Sequence, residues 1–326
     1  MVDPYALYET MARIRSFETA ASKLLAQTRI GGFLHLSIGQ EAVAVGVCAA
    51  LRRDDLISST HRGHGHCIAK GGTVERMMAE MFGRESGYCK GRAGSLHIAD
   101  PNAGILGANA IVGGGLPMGV GAALSAQVRG SDQVSAVFFG EGAVAEGVFH
   151  ECLNLAGLWR LPVVFVCEHN SWAEMTPVTT HLAAPDVEEF AVPYRIASEV
   201  ADGNDVLVVH DAASRAVARA RAGEGPTLLV CRTYRWRGHF EGDPATYRDP
   251  DELAAWQERD PLRALREVLV AEDTSAAARL DALDAEAERA VQRAVEAAEA
   301  EPPAPVGTVV EDVYRAPLAI HGGAHA

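Results

Sequence analysis

Two short apolar runs that end in polar residues constrain the fold of this chain more than any other feature. The first, SAVFFG, covers residues 135 to 140, and the second, LPVVFVCEHN, covers residues 161 to 170. The segment between them, about 145 to 159, has the apolar spacing of an amphipathic helix. Buried parallel strands are continuously apolar and are joined by crossover helices, so these residues predict a βαβ unit.

The same alternation continues towards the C-terminus. Apolar runs at DVLVVHD (205 to 211) and PTLLVCRTYR (226 to 235) flank an Ala- and Arg-rich helix near 212 to 222. We therefore predict an α/β fold, with a doubly wound, mostly parallel sheet and helices on both of its faces.

Helical spacing covers most of the remaining chain. We predict further helices at 4 to 27, 40 to 52, 115 to 128 and over much of 250 to 300. The segment from Gly87 to Gly119 holds nine glycines and predicts a long irregular loop. With no visible boundary or repeat, we expect one domain over 1 to 326, with a helical N-terminal segment (about 1 to 30) and a helical C-terminal extension (about 250 to 300).

Charge and apolar patterning exclude several classes of function. The net charge of −14 disfavours nucleic acid or an acidic membrane surface as a partner. No apolar stretch approaches the length of a membrane span, and the N-terminus lacks the apolar core of a signal peptide, so we expect a cytoplasmic protein. The six cysteines are scattered without a CxxC pair and are expected to be reduced.

The polar ends of the first two runs predict a ligand site. Glu141 follows the first run and Asn170 ends the second, 29 residues later. Ligands bind beyond the carboxyl ends of parallel strands, so these two side chains are expected to be neighbours. Carboxylate and amide oxygens suit Mg²⁺, and a helix start near Ala143 to Glu146 would offer N–H groups to a phosphate. A tight turn with a solvated carboxylate is the alternative interpretation of Gly-Glu-Gly.

At this point the sequence resembles a known family. GEGAVAEGVFHECLNLAGLWRLPVVFVCEHN is similar to the thiamine diphosphate motif, usually Gly-Asp-Gly closing in Asn-Asn, of the alpha subunits of acetoin, pyruvate and branched-chain 2-oxo acid dehydrogenases. The similarity runs in order from GFLHLSIGQEA to GHFEGDPATYRDP. It implies the thiamine diphosphate-binding fold, with thiamine diphosphate and Mg²⁺ as cofactors.

The resemblance assigns residues to the cofactor. Glu141 and Asn170 would bind the metal through their side chains and Trp172 through its backbone carbonyl. The other cofactor-binding residues implied by the resemblance are Gly140, Gly142, Ala143, His61, Arg62, Ala110, Val112 and Arg235. Together with Ile111, Ala110 and Val112 would contact the aminopyrimidine and hold the cofactor bent.

Three histidines are implied on the substrate side of the cofactor. His35, His64 and His239 match family histidines that can donate, accept or stabilise charge on a reacting oxygen. The alternative is that an isolated histidine is an ordinary core or surface residue, which we favour for His150, His181, His210 and the tail histidines. Arg248 is a candidate phosphate-binding or loop-anchoring residue.

Three positions depart from the family pattern. Glu141 replaces the usual aspartate, which adds one methylene to a ligand of a metal with strict geometry. His169 replaces the first asparagine of the closing pair, and Arg237 replaces a common histidine. The changes at Glu141 and His169 keep open the alternative of a degenerate homologue with a structural or regulatory role.

The motifs are most similar to those of acetoin dehydrogenase alpha subunits. The implied reaction cleaves acetoin, or in the alternative decarboxylates pyruvate or a branched-chain 2-oxo acid, and passes the acyl group to a lipoyl carrier. A catalytic glutamate would come from a beta subunit, so an α2β2 heterotetramer docked to a lipoyl acyltransferase is expected. A Rossmann-type NAD enzyme is disfavoured because no Gly-x-Gly-x-x-Gly follows an early strand.

Overall fold

A computed structural model describes residues 2 to 311 and contains a six-stranded parallel sheet. Its strand order is β2-β1-β3-β4-β8-β7, and β5 and β6 form a separate antiparallel hairpin. The strands are β1 Leu56–Thr60, β2 Ile105–Asn109, β3 Ser135–Gly140, β4 Val163–His169, β5 Trp172–Ala173, β6 Thr176–Pro177, β7 Ala197–Asp202 and β8 Thr227–Arg232.

Helices cover both faces of the sheet. They are α1 Pro4–Ala26, α2 Glu41–Ala50, α3 His64–Ala69, α4 Val74–Met81, α5 Gly115–Val128, α6 Gly147–Trp159, α7 Val178–His181, α8 Val206–Arg221, α9 Pro250–Gln257, α10 Pro261–Glu272 and α11 Ala276–Ala300. In β3, Ala136 and Phe138 belong to one apolar core, whereas Val137 and Phe139 belong to the other. The predicted doubly wound fold with a helical C-terminal region is confirmed.

The expected strand at 205 to 211 is wrong. Val206–Arg221 is one continuous helix, and the Asp205 side chain caps it by accepting hydrogen bonds from the N–H groups of Leu207 (2.9 Å) and Val208 (3.1 Å). Such an N-cap satisfies donors that the first turn leaves free. The strand that pairs with β8 is instead β7, which escapes detection because it lies at the sheet edge with only one buried residue.

Two further strands were not expected. β1 reads LISST and β2 reads ILGAN, and neither is a plain apolar run. The polar Ser58 is nevertheless fully buried, because its hydroxyl donates a 2.9 Å hydrogen bond to the Gly115 carbonyl. β2 lies within the glycine-rich segment that we expected to be wholly irregular.

Other expectations agree with the structure. The helices expected at 4 to 27, 40 to 52 and 115 to 128 are present as α1, α2 and α5. All six cysteines are free thiols, and five of them are buried. Between residues 2 and 311, no helix combines the length and the apolar character required to cross a membrane.

Candidate cofactor-binding and active site

A cavity of about 360 Å³ lies where the parallel strands end. The carboxyl ends of β1 to β4 all reach it, as expected for a ligand site in an open parallel sheet. It collects most of the residues implied by the resemblance, and those lining it are His35, His61, Arg62, Ala110, Ile111, Val112, Gly140, Glu141, Gly142, Ala143, Asn170, Trp172, Arg235 and His239.

The structure brings Glu141 and Asn170 together. Gly140 pairs with Glu168 in the register of β3 and β4, so the residues that follow these strands are neighbours. One carboxylate oxygen of Glu141, Oε2, accepts a 3.0 Å hydrogen bond from the Asn170 backbone N–H. The Asn170 amide in turn donates to Gln40 Oε1 at 3.3 Å and its Oδ1 accepts from the Trp172 N–H at 3.2 Å.

The second oxygen of Glu141 has no partner. Oε1 is buried and makes no hydrogen bond with any residue between 2 and 311. The whole side chain is also shielded from solvent, so bulk water does not reach this oxygen either. Burial raises the pKa of this carboxyl group, against a smaller opposing effect of His169. A buried carboxylate oxygen without a donor is costly unless a cation compensates it, so this position is suited to a metal ion.

The turn after Glu141 lies against the β5–β6 hairpin. A Cβ atom placed at Gly142 would be 2.9 Å from the Cβ of Ala173, which leaves no room for a side chain. The residues Glu141–Ala145 form a 3₁₀ turn, and α6 begins only at Gly147. The expected N–H donors at Ala143 to Glu146 are therefore partly used, since the Glu146 N–H donates to the Ala143 carbonyl at 3.1 Å.

Two buried arginines meet at the other side of the cavity. Arg62 donates to the Leu36 carbonyl at 3.0 Å and to the His239 carbonyl at 2.7 Å. Arg235 donates to the Glu174 carbonyl at 2.9 Å and to the Tyr247 hydroxyl at 3.0 Å. Burial and the charge of Arg235 lower the pKa of Arg62 to about 9, and burial also lowers the pKa of Arg235. Two buried cations so close together favour an anionic ligand.

His35, His61 and His239 cluster beside these arginines. Their ring centroids are 4.8 Å (His35 to His61), 5.0 Å (His35 to His239) and 5.5 Å (His61 to His239) apart. Burial first, and Arg62 second, lower the pKa values to about 4 for His35, about 2 for His61 and about 3 for His239. All three rings are therefore neutral near pH 7 and can each donate or accept one hydrogen bond.

The loop that carries His239 is held by the groups around it. The His239 N–H donates to Asp243 Oδ2 at 2.6 Å, and the Tyr247 hydroxyl donates to the same oxygen at 2.6 Å. The buried Arg248 guanidinium donates to the carbonyls of Arg235, Trp236 and Arg237. Arg248 is thus a loop anchor that does not line the cavity, while the Arg237 side chain is exposed and contributes its carbonyl.

The segment after β2 forms an exposed apolar wall of the cavity. Ile111 is 73% exposed and Val112 is 54% exposed, although both line the cavity with Ala110. The Asn109 side chain accepts a 2.9 Å hydrogen bond from the Ile111 N–H and shapes this turn.

His64 lies outside the cavity, which differs from the expectation that it would line the substrate side. It is fully buried at the start of α3, where its Nδ1 is 3.0 Å from Glu18 Oε2 and its Nε2 is 2.9 Å from the Ser95 hydroxyl. His169 also points elsewhere, since its Nε2 donates to the Pro185 carbonyl at 3.3 Å. The tail histidines, His321 and His325, lie outside the described residues.

Sequence reasoning missed several residues at this site, four of which are polar residues at or near the ends of strands or helices. Ser59, Thr60 and Asn109 line the cavity at the ends of β1 and β2, and Gln40 accepts the hydrogen bond from Asn170. The strand-end rule would have found the first three if β1 and β2 had been recognised. Gln40 has a sequence signal as well, because it is the residue just before α2.

The fold and the site together define a doubly wound α/β protein with a cavity at the carboxyl edge of its sheet, lined by two buried arginines and a buried carboxylate. The family model described as "Dehydrogenase E1 component" matches residues 9–306. The chain therefore belongs to the dehydrogenase E1 component family, and it is an oxidoreductase subunit.

Curated relatives agree with this family. The alpha subunit of acetoin:2,6-dichlorophenolindophenol oxidoreductase from Bacillus subtilis (strain 168) is 46% identical, over 94% of this chain and 92% of the relative. The protein of the same name from Cupriavidus necator is 42% identical, over 94% and 93%. The chloroplastic pyruvate dehydrogenase E1 component subunit alpha-3 of Oryza sativa is 38% identical, over 95% and 75%.

Proposed function

We propose that this chain is the alpha subunit of a thiamine diphosphate- and Mg²⁺-dependent dehydrogenase that cleaves acetoin and passes the resulting acyl group to a lipoyl carrier. One observation carries the proposal above all. A buried carboxylate with an unpaired oxygen, Glu141, lies against Asn170 at the edge of the sheet where a ligand cavity opens.

The residues present fit the proposed cofactor. The side chains of Glu141 and Asn170 would hold Mg²⁺, together with the Trp172 carbonyl. The small residues Gly140, Gly142 and Ala143 leave room for the diphosphate, and Gly142 tolerates no Cβ. When bound, thiamine diphosphate supplies the carbon nucleophile that adds to a carbonyl group.

The arginines fit the diphosphate as well. Within residues 2 to 311, no carboxylate forms an ion pair with Arg62, whose hydrogen bonds go to the Leu36 and His239 carbonyls and towards His239 Nδ1. A buried guanidinium without a carboxylate is compensated by an anionic ligand. Arg235, which is 3.4 Å from the same His239 nitrogen, would add a second positive charge.

The neutral histidines act on the substrate side. His35 and His239 can donate a hydrogen bond to a substrate oxygen or accept one from its hydroxyl group. Arg62 and Asp243 fix the backbone of His239, and this support limits the freedom of its ring. His61 forms the third side of the same cluster and contacts His35 edge to face.

Acetoin is the favoured substrate because the relatives at 46% and 42% identity are both named for acetoin. Pyruvate or a branched-chain 2-oxo acid is the second candidate, supported by the relative named pyruvate dehydrogenase. The names also specify alpha subunits, which supports a beta subunit as partner. We propose an α2β2 assembly that docks to a lipoyl acyltransferase.

The metal site is tested by a matched pair of variants. Glu141→Gln keeps the size of the side chain but removes its charge, whereas Glu151→Gln makes the same change at an exposed position of α6. The cofactor affinity of each variant is measured by calorimetric titration of thiamine diphosphate and Mg²⁺ into the chain reconstituted with a cognate beta chain. We expect Glu141→Gln to weaken binding by about 100-fold or more and Glu151→Gln to have no effect. Equal binding by both variants would contradict the proposal.

The substrate is tested by steady-state assays of the reconstituted enzyme. Acetoin is expected to give the highest kcat/KM, above pyruvate and branched-chain 2-oxo acids. The chain without a beta subunit is expected to turn over none of them. If no substrate reacts although cofactor binds tightly, the degenerate, structural interpretation is favoured instead.

A further inference from the structure

We propose that His35, His61 and His239 bind one divalent transition-metal ion of the zinc class, at a site distinct from Glu141 and Asn170. Each histidine offers one ring nitrogen, and the three nitrogens lie within 4.8 Å of one another. The three residues come from different segments of the chain: the connection between α1 and α2, the end of β1, and the loop after β8. The fold has thus assembled a compact set of metal ligands.

Two of the ring nitrogens lack a partner. His35 Nδ1 and His61 Nε2 are buried and make no hydrogen bond, and His35 as a whole is only 8% exposed. Buried ring nitrogens without hydrogen bonds are uncommon and call for an explanation. The rings are neutral, as described above, so each has one lone pair; that of His239 Nδ1 accepts hydrogen bonds from Arg62 and Arg235, and a metal ion bound at this nitrogen would replace them.

The ligand set selects the class of metal. Imidazole nitrogens suit Zn²⁺, Cu²⁺, Ni²⁺ and Fe²⁺, whereas Mg²⁺ takes oxygen ligands. At Zn–N distances of about 2.0 to 2.1 Å, tetrahedral geometry places nitrogens about 3.3 Å apart, so the rings must approach one another slightly. The cavity leaves the fourth coordination position open to water or an anion.

The neighbouring charges limit the affinity. Arg62 Nη2 lies 3.3 Å from His239 Nδ1, and Arg235 Nη1 lies 3.4 Å from the same atom. The positive charges of both guanidinium groups disfavour a cation there. Glu141 and Asp243 oppose the charge of Arg235. We therefore expect a reversible site of moderate affinity, in contrast to a structural zinc site with four protein ligands.

The consequence for activity rests on the proposed function. Because His35 and His239 line the cavity that would receive substrate, a metal ion held by their ring nitrogens removes them as hydrogen-bonding groups. Zn²⁺ would then inhibit the reconstituted enzyme, and chelation would restore it. Binding of the ion itself requires only the three histidines.

The test is a titration of the full-length chain with Co²⁺, in the absence of thiamine diphosphate and of Mg²⁺. Co²⁺ replaces Zn²⁺ in nitrogen sites and has visible absorption bands that report its ligands. We expect one ion per chain, with bands of a nitrogen and oxygen ligand set, displaced by Zn²⁺. The variants His35→Ala, His61→Ala and His239→Ala are each expected to weaken binding at least tenfold, or about 1.4 kcal/mol.

The controls are histidines outside the cluster. His97→Ala changes an exposed side chain, and the double variant His321→Ala/His325→Ala changes the tail, so both are expected to bind Co²⁺ as the parent chain does. The proposal is overturned if the parent chain does not bind Co²⁺, if the cluster variants bind it normally, or if thiolate charge-transfer bands reveal cysteine ligands.

A second measurement needs no variant. Zn²⁺ is expected to protect His35, His61 and His239 of the parent chain from diethyl pyrocarbonate, as mapped by mass spectrometry, while His97 still reacts. Absence of protection would overturn the proposal even if the variants fail to fold. A negative result leaves the test of Glu141 untouched, because that test uses another metal and other ligands.

Discussion

Two groups of histidines differ in their surroundings, although His61 of one group and His64 of the other are only three residues apart in sequence. His64 and His66 of α3 each contact a buried carboxylate. His64 Nδ1 is 3.0 Å from Glu18 Oε2, and His66 Nε2 is 3.2 Å from Glu168 Oε1. His35, His61 and His239 have no carboxylate partner within residues 2 to 311, and Arg62 is a common source of the positive field that lowers their pKa values.

The difference shows that the surroundings of a histidine decide its role. A histidine beside a buried carboxylate is part of a hydrogen-bonded network that holds secondary structure elements together, here α1 and α3. A neutral histidine that faces a cavity is free to interact with a ligand. Each of the following predictions tests this division.

The largest effect is expected for Glu18→Gln. The Glu18 carboxylate is fully buried, and its pKa is lowered because the charge of His64 and hydrogen bonds from His64 and Ser37 outweigh the effect of burial. A glutamine would turn an amide N–H towards these donors, so we expect a loss of about 3 kcal/mol in the free energy of unfolding, measured with urea. A loss below about 1 kcal/mol would show that the network is weak.

A smaller effect is expected for His64→Phe, with His61→Phe as its matched comparison. Phenylalanine at 64 leaves the buried Glu18 without its ring partner, which should cost about 2 kcal/mol of stability. His61→Phe removes a ring nitrogen, Nε2, that makes no hydrogen bond, so the loss in the free energy of unfolding should stay below about 1 kcal/mol. Equal losses in urea unfolding would remove the proposed distinction between the two groups.

The pH dependence of stability sharpens the comparison further. The His61 pKa falls from 6.5 in the unfolded chain to about 2 in the folded chain, so the unfolded state binds a proton first. Its contribution to stability is present above pH 6.5 and is lost progressively as the pH falls from 6.5 towards about 2. Relative to His61→Phe, the parent chain should therefore lose stability between pH 7 and pH 4. A constant difference between the two urea midpoints would contradict the lowered pKa.

The smallest effect is expected for Ser95→Ala. The Ser95 hydroxyl is partly exposed and makes one 2.9 Å hydrogen bond to His64 Nε2. Because water can replace this bond, we expect a loss of about 0.5 to 1 kcal/mol in thermal or urea unfolding. A larger loss would indicate that Ser95 fixes the orientation of the His64 ring.

The sequence predicts the part of the site that depends on apolar strands. β3 and β4 are continuous apolar runs, so the residues after them, Glu141 and Asn170, could be placed side by side. β1 and β2 contain buried serine and glycine, whose stabilisation comes from contacts such as Ser58 with Gly115, and these contacts are invisible in a linear pattern.

The burial of His64 could not be predicted either. Its partner Glu18 lies 46 residues away in α1, and helical spacing alone does not reveal that a glutamate faces the core. The same limit explains the misassigned strand at 205 to 211, where Asp205 caps a helix whose first turn is rich in valine and leucine. Side-chain capping and buried ion pairs are tertiary facts that residue periodicity does not contain.

The strand order has a consequence for when the cavity becomes complete. β1 is neighboured by β2 on one side and by β3 on the other, although β3 begins 75 residues after the end of β1. Residues from the whole span between His35 and His239 must meet before any of them can hold a ligand. Ligand binding thus reports that β1 to β4 and the loop after β8 have come together, and saturating ligand should slow global unfolding as a single cooperative event.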